Sequence, residues 1–161
     1  MRKRIFAWTV EAALASGIMA VAIAQGQHQN AAEIESGGKQ WLALMNKDND
    51  NTVDRKEFLD YMSAEFTKAD RDHDGTLDVR ELGQLRMELA IPQGQRRNTA
   101  EIESGGKQWL ALMNKDNDNT VDMKEFLDYM SAEFAKADRD HDGTLDVYEL
   151  GQLRMELSYR R

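Results

Sequence analysis

The sequence predicts an all-α fold built from two near-identical helical units, and three observations carry that prediction. Residues 32–89 recur at 100–157, and 55 of the 58 aligned positions are identical. Within each copy, apolar residues return at the three-to-four-residue spacing of an amphipathic helix. Two acidic 12-residue segments interrupt that pattern in each copy. The copies differ only at Arg55 against Met123, Thr67 against Ala135, and Arg80 against Tyr148.

The elements follow in order. Trp41, Leu42 and Met45 lay an apolar stripe on a first helix, and Leu44 adds bulk. Gly37 and Gly38 lower helix propensity, so this helix is expected to be broken there or to begin near Lys39. Gly37-Gly38-Lys39 is not a phosphate loop, because the upstream Gly and following Ser/Thr of that motif are missing. Phe58, Leu59, Tyr61 and Met62, then Phe66 and Ala69, mark the next helical stretch. Leu82, Leu85 and Leu89 mark a third. Pro92 disfavours the α conformation at Ile91, so this helix should end by about Ala90. Residues 90–97, containing Pro92 and Gly94, form a linker. The units, 30–89 and 98–157, thus each run helix-loop-helix-loop-helix. A unit of about 60 residues is marginal for an independent core. Docking between units, or a bound ion, is expected to supplement it.

Composition narrows the function. The chain has 161 residues, 21 Lys+Arg against 29 Asp+Glu, and no Cys. The missing Cys excludes disulfides, thiolate-metal sites and a Cys nucleophile. A formal net charge of -8 argues against nucleic-acid binding, which needs positive charge to displace counterions. It suits a cationic partner. Residues 1–24 have the form of a signal peptide. Arg2, Lys3 and Arg4 precede an apolar stretch to Ala24, and Ala22 and Ala24 give a small-x-small cleavage pattern. The other readings are an uncleaved anchor and an ordinary buried helix. Glu11 argues against the anchor, since a carboxylate is expensive in hydrocarbon. Removal of residues 1–24 would leave 137 residues with 18 basic and 28 acidic side chains, a net charge of -10. The expectation is an exported protein, periplasmic or secreted, with no stable membrane span after cleavage.

The acidic segments carry the chemistry. In Asp70–Glu81, acids stand at positions 1, 3, 5, 9 and 12, with Gly75 at 6 and Leu77 at 8. Asp138–Glu149 repeats the pattern. Clustered carboxylates repel one another unless a cation neutralises them. This spacing resembles the calcium loop of the EF-hand family, which folds oxygens around a hard ion that takes six to eight of them. The resemblance implies side-chain ligands Asp70, Asp72, Asp74 and Glu81, the Thr76 carbonyl, and a water held by Asp78. In the copy they are Asp138, Asp140, Asp142 and Glu149, the Thr144 carbonyl, and Asp146. It also implies that Leu77 and Leu145 face the core and join a short strand pair with another loop.

The segment Asn46–Glu57 and its copy Asn114–Glu125 depart from that pattern twice, with Asn at position 1 and Asn51 or Asn119 at position 6. An Asn carbonyl can ligate without charge, and Asn tolerates a positive φ. The ligand set there is Asn46, Asp48, Asp50, Thr52, Asp54 and Glu57, and in the copy Asn114, Asp116, Asp118, Thr120, Asp122 and Glu125. Weaker calcium binding is expected, because four acids replace five. An empty site that only pairs with its neighbour is the competing reading. Magnesium fits a 12-residue oxygen loop less well, and zinc lacks suitable ligands. His73 and His141, at position 4, are expected to be solvated.

Only 12 residues separate Glu57 from Asp70. As one helix they would span about 18 Å and put the two loops at opposite ends, so each loop would need a partner from the other unit. A break near Ser63 would instead allow pairing within a unit. The chain resembles small exported bacterial EF-hand proteins over residues 32–89 and 100–157, which implies calcium binding but names no protein partner. Two functions stay open: a calcium buffer or sensor, and a calcium-stabilised structural or interaction module. With no Cys and no ordered Ser/His/acid arrangement, an enzyme is not expected. Met45, Met62 and their copies fit core stripes better than a target-binding groove. Met123 and Tyr148 would make the second unit's surface more apolar than the first, and a protein partner is to be sought there.

Overall fold

The computed structural model describes residues 31–90 and 98–159. The signal-peptide reading, and the linker beyond Ala90, fall outside these residues. The chain divides between Glu33 and Ile34, and the packing below belongs to the part from Ile34 onward.

Helix α1 runs over residues 31–45 without interruption. It does not break at Gly37 and Gly38, contrary to the propensity argument. A Cβ on Gly38 would stand 1.7 Å from the carbonyl oxygen of Val147, so the backbone of α1 lies directly on that of the last helix. The missing side chain permits this contact, which offsets a helix penalty of about 1 kcal/mol.

Strand β1, Val53–Asp54, leads into α2, Arg55–Ala69. Strand β2, Thr76–Leu77, leads into α3, Val79–Ala90. The second copy gives α4, Thr99–Met113; β3, Val121–Asp122; α5, Met123–Ala137; β4, Thr144–Leu145; and α6, Val147–Tyr159. Among the described residues no helix is long and apolar enough to cross a membrane.

Helix α2 is one continuous element, about 22 Å long at 1.5 Å per residue. There is no break near Ser63. Its two flanking loops therefore stand at opposite ends and pair elsewhere. β1 is antiparallel to β4, with Val53 opposite Leu145. β2 is antiparallel to β3, with Leu77 opposite Val121. Each pair takes one loop from residues 30–89 and one from 98–157, so the pairing runs between the sequence repeats rather than within them.

The core explains why this arrangement holds. Phe58 meets Phe134 and Phe66 meets Phe126, each at 5.4 Å between ring centroids, so α2 and α5 run antiparallel. Trp41 tilts against Phe58, and Trp109 against Phe126, which extends the core to α1 and α4. Met45, Met62, Met113 and Met130 are fully buried with them. Each such side chain contributes roughly 1.5–3 kcal/mol on burial. Met123 also rests half-buried against this core rather than standing out as a surface residue, whereas Tyr148 and Leu44 are exposed.

Two buried arginines join the halves. Arg154 donates from Nε to the Leu89 carbonyl and from Nη1 to the Gly37 carbonyl and Gln40 Oε1. Arg86 makes the corresponding bonds to Leu157, Gly105 and Gln108. Each guanidinium thus satisfies a carbonyl in the last turn of the other repeat's final helix, where a cation is favoured by the helix dipole.

Candidate metal centres

The end of each loop is built by helix capping. Asp54 is the N-cap of α2: its side chain accepts from the Glu57 backbone N–H, and the Glu57 carboxylate accepts from the Asp54 N–H. This reciprocal box is a strong helix start signal, and it also fixes loop positions 9 and 12. Asp78 with Glu81, Asp122 with Glu125, and Asp146 with Glu149 repeat it.

The position 12 glutamate then ties the loop shut. Glu81 Oε1 accepts from the Arg71 N–H at 2.9 Å while its Oε2 accepts from Asp78. Glu57, Glu125 and Glu149 span their loops in the same way. In the middle, Asp74 Oδ1 accepts from both the N–H and the hydroxyl of Thr76, at 2.8 Å each. The equivalent bonds from Thr52 to Asp50 and from Thr120 to Asp118 hold those two carboxyls below the usual aspartate range.

Backbone shape follows residue type. Gly75 and Gly143 have φ near +90°, the left-handed side where glycine has no Cβ penalty. Asn51 and Asn119 take the same turn at φ 71° and 72°, so Asn at position 6 does not prevent loop formation. Position 4 is also left-handed, at Asn49, His73, Asn117 and His141. Both histidines are exposed.

Position 1 separates the two loop types. In Asp70, Oδ2 accepts from the Gly75 N–H at 3.0 Å, while Oδ1 is buried with no hydrogen-bond partner. Asp138 does the same with Gly143. A buried carboxylate oxygen without a donor is expensive, and a cation resolves it. One oxygen each from Asp70, Asp72 and Asp74 lie within 4.8 Å of one another, as do those of Asp138, Asp140 and Glu149. In the other loops, Asn46 Oδ1 accepts from the Asn49 N–H and Asn114 Oδ1 from the Asn117 N–H, both at 2.7 Å. Asn has one oxygen, and here a backbone donor already engages it. Sequence reasoning counted charges at this position and missed that use. The Asx-turn tendency of Asn was the available signal.

An oxygen-lined 12-residue loop between two helices, strand-paired with a second such loop, is the arrangement of an EF hand. The EF-hand domain pair family matches residues 64–131, and the EF hand family matches residues 130–153. Together these cover more than half of the chain, which belongs to the EF-hand family of calcium-binding proteins. The fold of that family binds calcium and is not catalytic. The pair match spans Asp70–Glu81 and Asn114–Glu125, the loops joined by the β2–β3 ladder. No curated protein matches the chain.

Proposed function

We propose that this is an exported calcium-binding protein with two tight sites, one in each loop pair, at Asp70–Glu81 and Asp138–Glu149. The loops Asn46–Glu57 and Asn114–Glu125 take calcium more weakly. The observation that carries this reading is the pair of buried, unpartnered oxygens, Asp70 Oδ1 and Asp138 Oδ1. Asp72, Asp74, Glu81 and the Thr76 carbonyl complete the first set, with Asp78 orienting a water. Asp140, Asp142, Glu149, Thr144 and Asp146 complete the second. Export is supported by the basic start, apolar stretch and Ala22-x-Ala24 pattern of residues 1–24.

Calorimetric calcium titration of the full chain tests the site assignment, with Glu81→Gln/Glu149→Gln as the control. The expected result is two tight events in the native chain and loss of both in the double variant. Full retention of tight binding would reject the assignment.

The cross-repeat pairing favours a second reading, that calcium also maintains the fold. Every loop pair ties one repeat to the other, so ions bound there stabilise the whole helical assembly by mass action, by about 2.7 kcal/mol per site at a hundredfold excess over Kd. Loss of helical signal on chelation supports that structural role. A retained fold with tight binding supports a buffer, and a new dye-binding apolar surface on adding calcium supports a sensor.

A further inference from the structure

The interface between the repeats has a property that a pairing of unlike domains would lack. Phe58 packs on Phe134 and Phe66 on Phe126, and these four residues are two residues of the repeat, each present twice. The same holds for the ladders, where Val53 meets Leu145 and Leu77 meets Val121. It holds again at the closest helix crossings. A Cβ on Gly38 would strike Val147 and one on Gly151 would strike Ile34, just as Gly106 faces Val79 and Gly83 faces Ile102. Residue i of one copy meets residue j of the other, and j meets i, which defines an isologous twofold interface. The three positions at which the repeats differ leave these core contacts untouched. Of the residues at these three positions, only Arg55 makes a described hydrogen bond across the interface, donating to Ser131; the Arg86 and Arg154 bonds come from residues common to both repeats.

We propose that each repeat is a self-complementary module whose interface accepts a repeat of a second copy of this chain as readily as its own other half. Two copies of residues 98–157 would then pair through two Val121–Leu145 ladders and two Phe126–Phe134 contacts. In the native chain the second repeat is covalently supplied at an effective concentration in the millimolar range, so closure within one chain wins. When one repeat is disabled, the other turns to a second molecule.

The test uses full-length chains. Gly38→Val/Gly83→Val alters the first repeat alone, driving side chains into the Val147 and Ile102 carbonyl oxygens of the second, and Gly106→Val/Gly151→Val alters the second alone, against the Val79 and Ile34 oxygens of the first. Light scattering after chromatography should find the native chain monomeric and the first variant doubling in mass as concentration rises. The variant with all four substitutions should not dimerise. Mixing the two single-repeat variants, one of them mass-tagged, should give a mixed dimer, because an intact second repeat then meets an intact first repeat. The proposal is overturned if the first variant stays monomeric, whether folded or not. It is also overturned if the fourfold variant dimerises equally, or if the mixed variants fail to combine.

Discussion

An asparagine and an aspartate at loop position 1 differ by one oxygen, and that oxygen separates the two kinds of site. Asp70 gives Oδ2 to the Gly75 N–H and keeps a buried Oδ1, while Asn46 spends its only oxygen on the Asn49 N–H. Asn46→Asp with Asn114→Asp should therefore convert the weak loops to tight ones. A gain of roughly tenfold in calcium affinity at each, about 1.4 kcal/mol, is expected by calorimetry. Tyr61 offers a different residue-scale check. Its half-buried ring, with Glu65 nearby, pushes the phenol pKa from 10.0 up to about 12. The folded chain thus holds this proton more tightly than the unfolded chain. The associated stability is complete below pH 10 and is lost as pH rises toward 12. Thermal melts across that window should fall more steeply for the native chain than for Tyr61→Phe.

At the scale of elements, adjacent glycines make a sharp contrast. Gly37→Ala meets only the Arg154 side chain, at an ordinary contact distance of 3.4 Å, whereas Gly38→Ala drives a methyl into the Val147 carbonyl. Denaturation in saturating calcium should show Gly37→Ala neutral or stabilising by up to about 1 kcal/mol, from helix propensity. Gly38→Ala should destabilise by about 2–3 kcal/mol through overpacking. Helix propensity alone misjudged both residues, because it is a property of an isolated helix and the contact that rescues α1 comes from α6. The loops were legible for the opposite reason. Left-handed turn and acid spacing are local, so residues such as Asp78, Glu81 and Gly75 declare them directly. Arg86 and Arg154 were not legible. Nothing in a helical Arg announces that the carbonyls it will meet lie about 70 residues away in sequence.

At the scale of the whole molecule, one short spacing decides the topology. The 12 residues between Glu57 and Asp70 lie in one unbroken helix, so α2 is shared by two loops and each loop finds its partner in the other repeat. The sequence posed this choice, and the continuity of α2 settles it. Each paired module contains one Asp-led loop and one Asn-led loop, because the ladders join Val53 to Leu145 and Leu77 to Val121 rather than like loop to like loop. The chain has no native Cys, so the pairing can be trapped without interference. Val53 and Leu145 face one another across the β1–β4 ladder, where Cβ atoms lie roughly 4.5–5.5 Å apart. Neither supplies a ligand oxygen from its side chain. Mild oxidation of the calcium-loaded Val53→Cys/Leu145→Cys chain should form an intrachain disulfide in high yield, and Val53→Cys/Leu77→Cys should form none. The reverse outcome, a bridge between positions 53 and 77, would contradict the cross-repeat architecture.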